Sequence, residues 1–451
     1  MGSTMLTIGT PHSRGQHFWQ RREFLRAGAL GLGGLTLADL LRSEATAKTT
    51  TRPKSLIYVV LGGGPSHIDM YDLKPEAPAE YRGPFTPIAT SLPGEFICEH
   101  MPLQAQLLDR CALVRGIRSV ENDHYLSEVY TGLPRTAGQR PAFGSVLSRL
   151  KGGVGPMPPY VSLAEGSQGV FNYELPHYAG LGHAPFRPQE QSVDDLTPVA
   201  SLDRLQGRRQ LLGAFDRWKQ QADQIASYGA IDRFQSQALE IMTSSRVRDA
   251  FDLSREPANM LDRYGHKQGK FTHQTLARLL YSWDAKRFVL ARRLVEAGVR
   301  VVTVQIGAWD HHSGPESHIF TSLQHMLPAL DRSLAALFND LHERGLDNDV
   351  SVVVLGEFGR TPKITYPGPG REHWADAGCA LFYGGGLKMG QVIGATDSRA
   401  ERSKDGKIDF QNVLATVYQT LGIHAETQLL NFNGRPQSLL DHHEPIRALV
   451  G

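Results

Sequence analysis

Ser55-Leu56-Ile57-Tyr58-Val59-Val60-Leu61 is an unbroken β-rich apolar run, followed at once by Gly62-Gly63-Gly64-Pro65. Apolar residues at every position from Leu56 to Leu61, without alternation, describe a strand buried on both faces, as in a parallel sheet covered by helices. The Gly-Pro cluster forces a turn at its end. The same pattern recurs along the chain. Cys111 to Ile117 reads as a second buried strand after a short helix around Leu103 to Leu108. Tyr160 to Leu163 reads as one short strand among Gly- and Pro-rich loops over 151–190. Val299 to Gln305, Ser351 to Leu355 and Ala380 to Tyr383 complete the set.

Helical patterns fall between these strands. One covers His124 to Tyr130 and is stopped by Gly132 and Pro134. A long amphipathic helix is expected from about Gln274 to Ala297, with Leu276, Leu279, Leu280, Trp283, Phe288, Leu290 and Leu294 on its apolar face and Gly298 ending it. Ile319 to Arg344 is helical despite Pro328, and Phe410 to Leu421 closes the chain. Strands alternating with helices predict an α/β fold with a mostly parallel sheet covered on both faces. The helical stretch from Leu205 to Phe251 marks about 190–275 as either an insertion or a cap.

The first residues carry an address. Arg21-Arg22-Glu23-Phe24-Leu25-Arg26 is a twin-arginine pattern, followed by the moderately apolar Ala27 to Leu41 and a small-x-small cleavage site at Ala45-Thr46-Ala47. The expected signal peptide is 1–47, with the twin-arginine translocase as partner during export and a periplasmic or extracellular destination. Ala27 to Leu41 falls short of the roughly 20 apolar residues of a membrane span, and no later segment reaches that length. The mature region, 48–451, is expected to have no membrane span.

A formal charge of +2 with 21% charged residues offers no concentrated basic face, which argues against nucleic acid as a partner. Cys98, Cys111 and Cys379 are few for an exported chain; a Cys98–Cys111 pair is conceivable, but spacing does not decide it. The 18 histidines are more than usual and several sit beside acids, the first hint of metal.

In open α/β sheets, sites form beyond the carboxyl ends of the strands. The residues there share a composition: Ser66-His67-Ile68-Asp69 and Asp72 after the first strand, Asn122-Asp123-His124 after the second, Trp309-Asp310-His311-His312 and then His318 after the Val299 strand. Gly356-Glu357-Phe358-Gly359-Arg360-Thr361 and Arg371-Glu372-His373-Trp374 follow. Imidazole and carboxylate are the donors expected for zinc, manganese or related divalent ions. Asp310 and His312, two apart on an extended backbone, would aim the same way, with His311 turned from them. A nucleotide loop is excluded, because neither Gly-x-x-x-x-Gly-Lys-Ser/Thr nor Gly-x-Gly-x-x-Gly with its acid occurs. A Gly-x-Ser-x-Gly elbow is missing too, which weakens a serine hydrolase.

Gly62 to Asp69 with Asp72-Leu73-Lys74-Pro75, Trp309-Asp310-His311-His312, Glu357-Phe358-Gly359-Arg360-Thr361-Pro362 and His373 resemble the sulfatase-like proteins of domain-of-unknown-function family 1501. That resemblance covers nearly the whole mature region. It implies the alkaline phosphatase and arylsulfatase superfamily, hence an alkaline-phosphatase-like three-layer α/β/α sandwich with a mostly parallel central sheet and one or two divalent ions at the strand ends. Carried over by position, Asp310, His312 and His373 would bind one metal, and Asp69 and Glu357 a second; zinc, manganese, magnesium and calcium are all open. The chain departs from the superfamily in four respects. Glycine stands directly after the first strand where an acid is usual. Asn122 falls at the nucleophile's position, leaving it a substrate-binding role. Glu357-Phe358 replaces Asp-His or Asp-Asn, and no Cys-x-Pro-Ser-Arg is present.

Two functions follow. In the first, the chain is an exported metal-dependent hydrolase of phosphate or sulfate esters, acting on a small-molecule or polysaccharide ester. The metal would activate a water in place of the missing nucleophile. Arg360 or Arg371 would neutralise ester oxygens, and His124 or His67 would serve as general acid or base. In the second, the same fold is a catalytically degenerate binding or assembly protein.

Overall fold

The computed structural model describes residues 53–164, 173–188, 244–266, 271–274, 280–314, 318–366, 368–404 and 406–451. The twin-arginine motif, its cleavage site and most of the expected cap lie outside the described residues. Pro53–Gly451 is one compact unit.

Seven strands make the central sheet: β1 (Ser55–Val60), β2 (Cys111–Arg115), β3 (Tyr160–Ser162), β4 (Val301–Gln305), β5 (Val350–Leu355), β6 (Cys379–Gly384) and β7 (Gln391–Ile393), in the order β7-β2-β6-β5-β1-β4-β3. Every neighbouring pair is parallel except the two that involve β6. All six residues of β1 are buried, as its uninterrupted apolar run requires. They alternate between two cores. Ile57 and Val59 face one, with helices α3 (Lys286–Ala297) and α4 (Ile319–Glu343); Leu56, Tyr58 and Val60 face the other, with α1 (Ser127–Thr131), α2 (Phe143–Lys151) and α5 (Phe410–Thr420). The result is the expected three-layer α/β/α sandwich. Among the described residues no helix is long and apolar enough to cross a membrane.

Register decides where the site lies. Val60 pairs with Leu355 on one side and Gln305 on the other, so β1, β4 and β5 end level and release their following loops at one edge. β6 runs the opposite way, with Ala380 opposite Leu355 and Cys379 opposite Arg115. The loop that precedes β6 therefore meets the loops that follow β1, β2, β4 and β5.

Two expectations need correction, and one open question closes. The long helix from Gln274 begins only at Lys286, whose N–H is accepted by Asp284 Oδ1 at 3.1 Å; Phe271–Gln274 and Leu280–Trp283 pair instead as an antiparallel hairpin. The helix expected from His124 starts at Ser127, because Asp123 accepts the His124 N–H at 2.8 Å and the Tyr125 N–H at 2.6 Å in a turn. Cys98, Cys111 and Cys379 are free thiols, so Cys98 and Cys111 do not pair.

Candidate metal centre

Glycine after β1 is a steric requirement of the edge. Gly63 has φ +115°, and a Cβ there would stand 2.3 Å from the Asp310 backbone nitrogen. One on Gly64 would stand 2.3 Å from the Phe358 ring. The β1 loop thus packs on the backbone of the β4 loop at Gly63 and on the Phe358 ring at Gly64, which is why no side chain fits at either position.

Asp310, in the loop that follows β4, is the hub. Its Oδ1 lies 3.1 Å from His124 Nε2, 2.6 Å from His312 Nε2 and 3.8 Å from His373 Nε2. Each imidazole is fixed from behind. Glu357 Oε1 is 3.1 Å from His124 Nδ1, Glu372 Oε2 binds His312 Nδ1, and His373 Nδ1 donates to the Asn122 carbonyl at 3.0 Å. A carbonyl can only accept, so His373 carries a proton on Nδ1 and turns Nε2 toward Asp310. One ligand atom from each of His124, Asp310, His312 and His373 lies within 4.8 Å of all the others. The four side chains are 14 to 24% exposed, within reach of solvent.

This donor set fits a divalent ion. Imidazoles with Nδ1–H held by carboxylate or carbonyl are the usual outer arrangement of metal-binding histidines. Within this centre two buried atoms lack a hydrogen-bond partner, His373 Nε2 and Glu357 Oε2, as expected where an inward-facing ligand atom awaits an ion. Electrostatics agree. Burial alone would lower the His124 pKa, but the bonds to Asp310 and Glu357 carry it up to about 9. Burial alone would raise the Asp310 pKa, and the surrounding imidazoles hold it far below the usual carboxylate range. A bound cation would displace the inward imidazole proton and take over its role.

Other residues singled out by sequence sit around this centre. Glu357 is buried, accepting the Gly63 N–H at 2.7 Å as well as supporting His124. Arg360 is wholly buried beneath Asp310, 3.1 Å from its Oδ1, and its Nε donates to the Gly64 carbonyl at 2.8 Å. Asn122 contributes its backbone carbonyl, while the residue itself is exposed.

Three positions do not reach the cluster. Asp69 is engaged by Arg371 through Nε–Oδ2 at 2.7 Å and Nη2–Oδ1 at 3.0 Å, and it accepts from Ser66 Oγ at 2.5 Å. Both of its oxygens are taken, so a metal-ligand role has no geometric basis here. Arg371 is likewise sealed from solvent, donating also to the carbonyls of Thr361 and Tyr81 at 3.0 and 2.7 Å, and has no donor to offer a substrate. His67 is buried with Nε2 2.9 Å from the Ala400 carbonyl, and burial lowers its pKa. An enclosed ring with that bond does not suit proton exchange with substrate. Glu372 is the residue the sequence reading passed over; its place beside His373, on a loop facing Asp310-His311-His312, was the available signal.

A family model described as "Protein of unknown function (DUF1501)" matches residues 53–450. No curated protein matches the chain. Among solved structures, the lipoteichoic acid synthase LtaP from Listeria monocytogenes is 11% identical with a TM-score of 0.38, over 82% of this chain and 72% of that one. The PsFucS1 sulfatase from Pseudoalteromonas sp. is 12% identical with a TM-score of 0.37, over 85% and 70%. The C-terminal periplasmic domain of EcEptC from Escherichia coli, in complex with Zn, is 8% identical with a TM-score of 0.37, over 89% and 93%. At these scores the likenesses carry nothing about chemistry.

Proposed function

Because the chain belongs to the DUF1501 family, whose description names no activity, its function has to be read from its own residues, and we propose a metal-dependent hydrolase of phosphate or sulfate esters. One observation supports this above all: three imidazoles, each held at Nδ1 by an outer acceptor, turn Nε2 toward a single carboxylate. Asp310, His312, His373 and His124 are the proposed ligands, which moves His124 from acid–base duty into the ligand set. A bound divalent ion would polarise an ester oxygen and lower the pKa of water to about 7. The chain's own part is to orient. Arg360 holds Asp310 from below, Glu357 and Glu372 keep the Nδ1 protons of His124 and His312 in place, and Phe358 packs against the rings of His124 and His373.

We further read the twin-arginine segment as an export signal, placing the protein outside the cytoplasm. Arg21→Lys with Arg22→Lys should strand the precursor inside; normal export of that variant would end this reading.

The test of the centre is metal per chain by elemental analysis. Wild type should carry a divalent ion, and Ala at Asp310, His312, His373 or His124 should strip it, while Ala at His311 or His318 should not. Wild-type protein that stays metal-free after loading with zinc, manganese, magnesium and calcium would remove the hydrolase reading. Loaded protein should then turn over aryl phosphates or aryl sulfates. A binding protein without turnover is the second reading, favoured by Asn122 standing exposed where a nucleophile would be needed; metal content with a silent ester panel would select it.

A further inference from the structure

We infer that the Arg360 guanidinium is a resident cation of this centre, which limits it to one metal ion per chain. This rests on the metal reading above but makes a separate claim. Arg360 lies at the hairpin strand Gly359–Arg360, and its side chain is 0% exposed. Its Nε donates to the Gly64 carbonyl at 2.8 Å. Its Nη2 donates to the Gly63 carbonyl, to the Trp309 carbonyl at 3.2 Å and to Asp310 Oδ1 at 3.1 Å. Its Nη1 comes to 3.4 Å from His312 Nε2 and 3.5 Å from the Arg371 carbonyl. Three backbone carbonyls from the ends of β1 and β4 and one carboxylate oxygen form an all-oxygen nest of the type that suits a hard cation. A guanidinium that cannot be deprotonated already fills it.

Few carboxylate oxygens remain that could anchor a second ion. Asp69 is closed off by Arg371, and Glu357 uses Oε1 for the Gly63 N–H and His124, which leaves its Oε2 as the one unpartnered oxygen of these two acids. Formal charge points the same way. The carboxylates touching the three imidazoles are Asp310, Glu357 and Glu372, a sum of −3. Arg360 at +1 and one divalent ion at +2 balance them. A second divalent ion would leave uncompensated positive charge in a partly buried site, which is strongly unfavourable.

Metal titration followed by elemental analysis tests this. Wild type should saturate at one zinc or manganese ion per chain. Arg360→Lys keeps a positive charge but not the fork, and should keep the one-ion stoichiometry with affinity weakened about 10- to 100-fold, as for other outer supports of a metal site. Arg360→Ala should lose affinity at least as far, or take a second ion in the vacated nest. Added guanidinium chloride at low millimolar concentration should return it toward wild-type behaviour, whereas sodium chloride should not. Saturation of wild type at two ions would overturn the inference and leave the metal reading standing. Binding by Arg360→Ala that matches wild type in stoichiometry and affinity would overturn it too, and a wild type that takes no ion would remove both. If Arg360→Ala does not fold, Arg360→Lys decides: unchanged affinity counts against the proposal.

Discussion

Asp69 and Arg371 are both shielded from water, and each satisfies the other through two contacts at 2.7 and 3.0 Å. Removing one partner of such a pair leaves a buried charge uncompensated, at a cost of about 3–5 kcal/mol. Asp69→Ala should therefore lose about that much in chemical denaturation. Asp69→Asn, milder in charge terms, should retain its metal whenever it is folded. Loss of metal from folded Asp69→Asn would return Asp69 to the ligand set. Gly63 raises a different issue at the same scale. Its positive φ and the 2.3 Å approach to the Asp310 nitrogen leave no room for a methyl group. Gly63→Ala should displace Asp310 from the imidazoles, weakening metal binding more than it lowers the melting temperature. Unimpaired metal affinity in that variant would show that the loop contact does not position the centre.

Elements here are capped both locally and across the fold. α5 begins with a capping box: the Asp409 side chain accepts the N–H groups of Gln411 and Asn412, and Asn412 Oδ1 accepts the Asp409 N–H. Asp409→Ala should cost about 1 kcal/mol. The short helix Pro102–Ala105 has no cap of its own. Asp331, within α4, accepts the N–H of Leu103 at 2.9 Å and of Gln104 at 2.7 Å. Asp331→Ala would leave both donors without a partner, at about 2–4 kcal/mol, and Asp331→Asn, which keeps one acceptor, should cost less. Equal losses for Asp331→Ala and Asp409→Ala in equilibrium unfolding would contradict this ranking.

For the whole molecule, the dependence of stability on pH carries a signature from buried acid. Glu128 on α1 accepts the N–H groups of Val120 and Glu121, fastening the loop that bears His124. Burial raises its pKa to about 7 against an ordinary 4.5, despite those bonds. A carboxyl whose folded pKa lies above its unfolded value binds its proton more tightly when folded. Its contribution is full below pH 4.5 and is lost as pH rises through 7. At about 1.4 kcal/mol per pH unit the loss is on the order of 3 kcal/mol. Glu128→Gln should remove that slope, so its unfolding free energy relative to wild type should improve steadily between pH 4.5 and pH 7. A difference that stays flat across this window would show that Glu128 has an ordinary pKa. On the proposed metal reading, an ion at about 100 times its dissociation constant would add about 2.7 kcal/mol, so chelation should lower the melting temperature of wild type but not of Asp310→Ala.

What the sequence determined by itself was local. Apolar runs such as Ser55 to Leu61 and Val350 to Leu355 name strands buried on both faces, because only such strands dispense with alternation, and the α/β class follows from their spacing with helices. The same reading singled out Asp310 and His312 after a strand and His373 in a later loop, residues whose potential ligand atoms the structure brings within 4.8 Å of one another. It missed the break before Lys286, where a hairpin replaces the helical pattern, and the helix Phe143–Lys151 hidden among glycines and prolines. Tertiary structure alone decided the allocation of charge. Asp69 and Arg371 are 302 residues apart, and nothing in either neighbourhood shows that they would close on each other. Nor does local pattern reveal that His124, Glu357 and Glu372 join Asp310 through shared hydrogen bonds, or that Arg360 fills the carbonyl nest left by Gly63 and Gly64. Periodicity reports which face of an element is dry, whereas the partner of a buried charge is set by register and loop closure between distant segments.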